Sequence, residues 1–284
     1  MDRKIYVNGK YQTEATASVS VFDRGLLFAD AVYEVIPVVR GSLITASEHI
    51  ERLFRSLMET KIVAPFPKED FFEICSSLVS ANNVENGRVY LQVTRGVAER
   101  DFLPPTECHP TVIAFTQKTD LSQVRPLKVV SIPDLRWSLR HIKTTQLTYA
   151  VMAKMSAVQS GADDAWFIED GLVTEGTSNN ALIVTKDGSI RTAPLTGILA
   201  GVTRAVAQSC AAQSGLSFVE EAFALEEAYG ASEAFVTSAS HLATPVIAID
   251  GNTIGNGKIG EVTQEMRNLL LVEFGIDAQV DQLR

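Results

Sequence analysis

Cysteine is scarce in this 284-residue chain. Cys75, Cys108 and Cys210 are the only three, far apart and odd in number. With no C-x-x-C pair, the usual spacings for zinc and for dithiol redox chemistry are missing, and unpaired thiols in a reducing compartment are the expectation. Basic charge is also short. Twenty-five Lys and Arg stand against 34 Asp and Glu, a net charge of −9, so the basic face that non-specific nucleic-acid binding needs is not expected. Long apolar runs are lacking, and no stretch approaches the ~18 residues of a membrane span. The opening Met1-Asp2-Arg3-Lys4-Ile5-Tyr6 has neither an apolar core nor a signal-peptide cleavage pattern. His49, His109, His141 and His241 show no metal-ligand spacing. The nucleophile elbow Gly-x-Ser-x-Gly, the phosphate loop Gly-x-x-x-x-Gly-Lys-Ser/Thr and the zinc motif His-Glu-x-x-His are absent. These absences predict a soluble, cytoplasmic protein with no metal and with neither nucleic acid nor membrane as a partner.

What is present is ordinary globular material, 46% hydrophobic and 21% charged, enough to bury a core without disulfide or metal staples. Asn8-Gly9, Asp170-Gly171 and Asp187-Gly188 are hairpin turn signals, and Asn86-Gly87 and Asp250-Gly251 read as turns. Strands are expected at residues 4–7, near Tyr11, and at 31–40, 88–94, 111–116 and 127–132. Further strands are expected at 165–168, 172–174, 181–185, 190–192, 234–237 and 246–249. Pro37 suggests an edge or a bulge in its strand. Residues 18–22 alternate, and Asp23-Arg24-Gly25 reads as a turn. Apolar spacing predicts helices from Ser47 and at residues 68–81, 148–160, 201–213, 225–229 and 258–274. Residues 96–110, with three prolines, read as an exposed loop. The expected organisation is a small N-terminal α/β domain at 1–117, a polar linker at 118–126 and a larger domain at 127–284. So many hairpins argue against a doubly wound parallel sheet.

Several residues could carry chemistry. Residues 135–142 alternate like a strand, which sets Lys143 near a strand end, followed by Thr144, Thr145, Gln146 and Thr148. Alone, a lysine is most simply a surface residue. In a partly dry, uncharged pocket its pKa falls and it becomes an amine nucleophile. Glu175 lies in Val173-Thr174-Glu175-Gly176-Thr177-Ser178-Asn179-Asn180, where Gly176 would allow a ligand close to the backbone. Thr196-Gly197-Ile198-Leu199-Ala200-Gly201-Val202-Thr203-Arg204 leads into a helix, whose free N–H groups suit a phosphate or plain capping. Thr237-Ser238-Ala239-Ser240 is a hydroxyl-rich turn after a strand. Arg52 lies off the apolar stripe of its helix, a position that ordinarily faces solvent.

Taken together these segments resemble the class IV pyridoxal-phosphate-dependent aminotransferases, nearest their bacterial D-amino-acid (D-alanine) branch. The likeness runs through Ala29-Asp30-Ala31-Val32-Tyr33-Glu34-Val35, Glu48-His49-Ile50-Glu51-Arg52-Leu53, Val89-Tyr90-Leu91-Gln92-Val93-Thr94-Arg95-Gly96 and Asp134-Leu135-Arg136-Trp137. It continues through Ile142-Lys143, Val173-Thr174-Glu175-Gly176, Gly201-Val202-Thr203-Arg204 and Phe235-Val236-Thr237-Ser238. The resemblance implies a two-domain α/β (α+β) chain of PLP fold type IV with pyridoxal 5'-phosphate as cofactor. It implies ping-pong transfer of an amino group from a D-amino acid to a 2-oxo acid such as 2-oxoglutarate or pyruvate, and a homodimer. Lys143 would form the Schiff base and shuttle the proton, and Glu175 would pair with the ring nitrogen. Arg52, Val202, Thr203, Ser238, Ala239 and Ser240 would hold the phosphate. Tyr33 and Arg100 would hold the substrate carboxylate, the arginine coming from the partner subunit. One departure is visible: the family's Arg-x-His trap reads Arg100-Asp101-Phe102 here, and Phe102 cannot donate a hydrogen bond. Branched-chain L-amino-acid transaminase, (R)-amine transaminase, 4-amino-4-deoxychorismate lyase and a non-catalytic binding protein are the alternatives.

Overall fold

A computed structural model of the chain describes residues 3–276. It divides into two compact units, one made of the chain up to Asp120 with Ile142–Gln146, the other of Leu121–His141 with the chain from Leu147 onward.

The first unit contains β1 (Lys4–Val7), β2 (Lys10–Thr13), α1 (Arg24–Phe28), β3 (Ala31–Val39), β4 (Ser42–Leu43), α2 (Ala46–Thr60), α3 (Lys68–Ala81), β5 (Gly87–Thr94) and β6 (Thr111–Lys118). Its sheet runs β2-β1-β6-β5-β3-β4, antiparallel throughout. Asn8 and Gly9 take the left-handed conformations (φ 45° and 83°) that a two-residue hairpin needs. Residues 18–22 form no strand, and Arg24–Phe28 is a short helix rather than only a turn. Its start is capped by Asp23, which accepts the Gly25 N–H at 2.8 Å. Pro37 makes no bulge. β3 pairs in unbroken register with β5, while on its other side β4 reaches only Val38 and Val39. Most of that edge is therefore free of β4, and a proline is tolerated there. Helices α2 and α3 cover the sheet, burying Leu53, Leu57, Phe71 and Leu78 completely.

The second unit contains β7 (Leu127–Pro133), α4 (Thr148–Gln159), β8 (Asp164–Glu169), β9 (Leu172–Gly176), β10 (Asn180–Val184), β11 (Ile190–Thr192) and α5 (Val202–Ser214). It continues with β12 (Phe218–Glu220), α6 (Leu225–Tyr229), β13 (Glu233–Ser238), β14 (Leu242–Ile249), β15 (Asn252–Thr253) and α7 (Glu261–Glu273). Eight strands run β12-β11-β10-β13-β14-β7-β8-β9, and β15 pairs with β14. The pairs β11·β12, β14·β7 and β7·β8 are parallel and the rest antiparallel. Trp166, Val173, Ile183, Phe223 and Val236 lie in one core cluster. In another, α4 packs Ala150, Ala153 and Ala157 onto Ala165 and Phe167.

Three further expectations change. The expected linker begins at Lys118, but that residue ends β6, and the second unit starts at Leu121. The lysine segment, expected in the C-terminal domain, packs with the first unit instead. Thr144 bridges Val32, the Tyr33 N–H donates to the Lys143 carbonyl at 3.0 Å, and the Thr145 N–H donates to the Ala31 carbonyl at 3.1 Å. The free edge of β3 receives it. Nor do residues 135–142 form a strand; they are turns and bends. No helix among the described residues is long and apolar enough to cross a membrane.

Candidate active site

In the first unit Lys143 is half-buried, and its Nζ sits 4.3 Å from the centroid of the Tyr33 ring. A cation over an aromatic face is held electrostatically. Tyr33 in turn stacks on Tyr90 at 5.5 Å. Thr144 is buried, Thr145 is half-buried, and Gln146 and Thr148 are exposed, so only part of the expected polar wall is enclosed.

Glu34, the next residue on β3, is fully buried. One carboxylate oxygen accepts Arg52 Nε at 2.7 Å, and the other accepts Arg52 Nη2 and His49 Nδ1, each at 2.7 Å. Burial alone would raise the Glu34 carboxyl; the Arg52 charge and bonds, with His49, overcome it and hold the group well below the usual carboxylate range. Arg52 is therefore not on a solvated face. It belongs to a second, polar buried stripe of α2 formed by His49, Arg52 and Ser56. The reading from sequence missed Glu34 and His49 as its partners. For His49 the signal was its helical spacing from Arg52 and Ser56, hidden because that face is polar; for Glu34, on β3, there was no local signal.

The 96–110 loop also belongs to this unit. Arg24 Nη1 donates to the Asp101 carbonyl at 2.6 Å and Nη2 to the Phe102 carbonyl at 3.3 Å. The Arg100 guanidinium lies 5.4 Å from the Phe28 ring, and Phe28 packs at 5.6 Å against Phe102, which is 82% exposed.

In the second unit Glu175 on β9 is 4% exposed. Its Oε1 accepts Arg136 Nη1 at 2.6 Å. Its Oε2 faces Asn180 Nδ2 and the Leu199 N–H, each at 3.3 Å. Burial pushes this carboxyl up, and the attraction of Arg136 only partly opposes it. Asn180 also donates to the Leu199 carbonyl at 3.0 Å and lies opposite Thr237 in the β10·β13 register. A Cβ on Gly201 would fall 2.1 Å from Asn180 Oδ1, so a side chain where the chain enters α5 would displace the Asn180 amide. This unit thus links Glu175, through Asn180, to the start of α5 and to the end of β13. Gly176 serves differently than expected. What its bare Cα approaches is the Asn179 side chain, 2.1 Å from a would-be Cβ.

The first turn of α5, with Val202 and Thr203, has no side-chain cap at Gly201, which leaves its N–H groups for an anion. Close by in the chain, Arg204 is 2% exposed, and its Nε and Nη1 find no hydrogen-bond partner; Thr237 Oγ1, one residue before Ser238, is likewise buried and unpartnered. Helix α5 packs on β13, whose end leads into Ser238, Ala239 and Ser240. Among the described residues no group of three or more His, Cys, Asp or Glu could hold a metal.

The chain belongs to the class IV aminotransferases: the family model, amino-transferase class IV, matches residues 31–249. It is thus an aminotransferase, and its fold is that of fold type IV. Within the family it is 38% identical over 273 residues to the D-alanine aminotransferase of Staphylococcus aureus (strain N315), covering 93% of this chain and 95% of that one. The D-alanine aminotransferase of Bacillus licheniformis is 38% identical over 271 residues, with 94% and 95% covered. Among solved structures, the branched-chain aminotransferase of Thermoproteus uzoniensis with norvaline matches with a TM-score of 0.89 at 24% identity, covering 99% of this chain and 97% of that chain. That likeness speaks to the fold alone.

Proposed function

We propose that this chain is a pyridoxal-phosphate-dependent transaminase that moves the amino group of a D-amino acid, such as D-alanine, to a 2-oxo acid, 2-oxoglutarate or pyruvate. The observation that carries the reading is Glu175: a buried carboxylate with one oxygen bound tightly by Arg136 and the other contacted only at 3.3 Å, beside an uncapped helix start. That set fits a ring with a protonatable nitrogen at one end and a phosphate at the other. The unpartnered Arg204 and Thr237 groups fit an anion in the same unit. When bound, such a cofactor supplies an electron sink for the substrate's α-carbon.

The chain's own residues divide the work. Lys143 provides the amine that holds the cofactor and moves the proton at the substrate carbon. Glu175 accepts the ring N–H. Arg52, the Val202 and Thr203 N–H groups, and Ser238, Ala239 and Ser240 bind the phosphate. Tyr33 and Arg100 bind the substrate carboxylate. A homodimer is part of the proposal and is supported by α4, whose outward residues Val151, Met152, Met155 and Val158 are all more than half exposed, an apolar face a second copy would cover. The D-amino-acid assignment is supported by the 38% identity to D-alanine aminotransferases.

A second reading, an L-amino-acid transaminase of branched-chain type, is favoured by one feature. Phe102 puts an exposed ring where the D-selective members of the resembled family carry a hydrogen-bonding histidine. Purified protein reconstituted with pyridoxal phosphate and offered D-alanine or L-leucine with 2-oxoglutarate decides between them. Turnover of D-alanine is expected, and turnover of L-leucine alone would reject the first reading. Lys143→Ala is expected to abolish turnover and the visible absorbance of the covalent adduct, and retention of both would remove Lys143 from the mechanism.

A further inference from the structure

Arg136 has no part in the roles above, yet all three of its guanidinium nitrogens are bound by carboxylates. Its Nε donates to Asp134 Oδ1 at 2.8 Å, its Nη2 to Asp134 Oδ2 at 2.6 Å and its Nη1 to Glu175 Oε1 at 2.6 Å. The guanidinium lies 4.3 Å from the Phe167 ring centroid. Asp134, 8% exposed, is fixed in turn by Thr174 Oγ1 at 2.8 Å and faces Arg140 Nε at 3.4 Å. Thr174 directly precedes Glu175 on β9, so the strand that carries the carboxylate also anchors the aspartate that orients the arginine.

Resting on the reading of Glu175 given above, we propose that Arg136 is a positioning residue for the cofactor ring: it occupies Oε1, keeps the buried carboxyl ionised, and leaves Oε2 as the acceptor for the ring N–H. Three observations support this. First, the two oxygens differ. A 2.6 Å charge-assisted bond commits Oε1, whereas two 3.3 Å contacts at Oε2 exceed ordinary N–H···O lengths and leave acceptor capacity there. Second, a guanidinium stays charged at every working pH, so the hold on Glu175 does not titrate away. Third, the charges that bear on Glu175 leave it wanting a cation. Asp134, Glu169 and Glu220 pair with Arg136, Arg140 and Arg204 respectively. Those pairs cancel, and the Glu175 charge is what remains. Because Asp134 takes two of Arg136's bonds, Arg136 gives Glu175 a strong donor without neutralising it. A protonated ring nitrogen would supply the missing charge.

The test uses holoenzyme reconstituted with pyridoxal phosphate labelled with 15N in the ring, read by 15N NMR across a pH series. In the wild type the ring nitrogen is expected to stay protonated from neutral to mildly alkaline pH. In Glu175→Gln it is expected to lose the proton throughout. In Arg136→Met the midpoint should fall by at least about one pH unit, with kcat reduced about tenfold or more. Arg136→Lys, which keeps a charge but lacks the fork that binds Asp134 through two nitrogens while a third reaches Glu175, should lie between Arg136→Met and the wild type. It also serves if the methionine variant does not fold. A wild-type midpoint in both Arg136 variants, with Glu175→Gln deprotonated, overturns the proposal and leaves the Glu175 reading standing. A wild-type signal in Glu175→Gln overturns that reading instead.

Discussion

Replacing Arg267 by Met tests whether the second unit is built as described. Arg267 lies on α7, 2% exposed. Its Nη1 donates to the carbonyls of His241 at 3.0 Å and Ala243 at 2.9 Å, and its Nη2 to those of Leu121 at 2.9 Å, Ser122 at 3.0 Å and Gln123 at 3.0 Å. One side chain thus ties the first residues of the unit to the chain that follows the Ser238–Ser240 turn. Methionine keeps much of the stem and its packing but donates nothing. Two of the five bonds, to Ala243 and Leu121, are fully buried, and each abandoned acceptor costs about 1–3 kcal/mol; the other three carbonyls can rehydrate. The expected loss is about 4 kcal/mol, or roughly 8–16 °C at about 2–4 °C per kcal/mol for a unit this size. Urea denaturation and a thermal melt of the full chain measure it. Arg267→Lys, which reaches fewer carbonyls, should fall between. A methionine variant within about 1 kcal/mol of wild type would show that water replaces these bonds at no cost and that the buried carbonyls do not depend on Arg267.

Glu34→Gln should destabilise the fold by about 3–5 kcal/mol, because it leaves Arg52 buried without its charge partner. The sign with pH follows from a folded carboxyl held below its usual range. Its contribution is whole above the ordinary glutamate pKa of about 4.3 and is lost as pH falls toward the folded value. The gap between wild type and variant, read from urea midpoints, should therefore be flat near neutrality and narrow below about pH 4; a gap that widens on acidification would contradict it. The double substitution Val151→Glu with Met155→Glu should convert a dimer to monomer in light scattering, since it charges an apolar face at two adjoining positions of α4; an unchanged dimer would place the interface elsewhere.

Hairpin turns were the most legible part of the fold, since Asn-Gly and Asp-Gly pairs supply the left-handed conformations their turns need. Asn8-Gly9, Asp170-Gly171 and Asp250-Gly251 all take positive φ at both positions. The lysine, the glutamate and the two turns proposed to bind the phosphate stood out in the sequence as ordered motifs. What was not legible has a common cause. Pattern reading assumes that the apolar side of an alternation faces inward. In residues 135–142 the reverse holds: Leu135 is 72% and Leu139 45% exposed, while Asp134, Arg136 and Arg140 face one another. The segment is therefore an ion-paired turn and not a strand. Arg52 misled for the same reason, since its burial depends on Glu34, a residue of another element. The lysine's place in the first unit rests on two backbone hydrogen bonds with β3, which no local pattern encodes.

The two buried glutamates show how much a partner's other commitments matter. Glu34 and Glu175 are comparably enclosed, and burial pushes each carboxyl upward. Arg52 gives Glu34 two bonds and His49 adds a third, and the attraction prevails. Arg136 gives Glu175 one bond and spends its other two on Asp134, whose negative charge further opposes ionisation, and burial prevails. The same residue type is thus a satisfied structural anion in one unit and an undercompensated one in the other. An undercompensated buried carboxylate is unstable alone, but it gains most when a cation with an N–H arrives. Arg52→Lys should therefore raise the Glu34 carboxyl and weaken the fold, because a single ammonium cannot reproduce the two-pronged bond. Replacing Asp134 by Asn should do the opposite to Glu175, lowering its carboxyl by removing a competing negative charge.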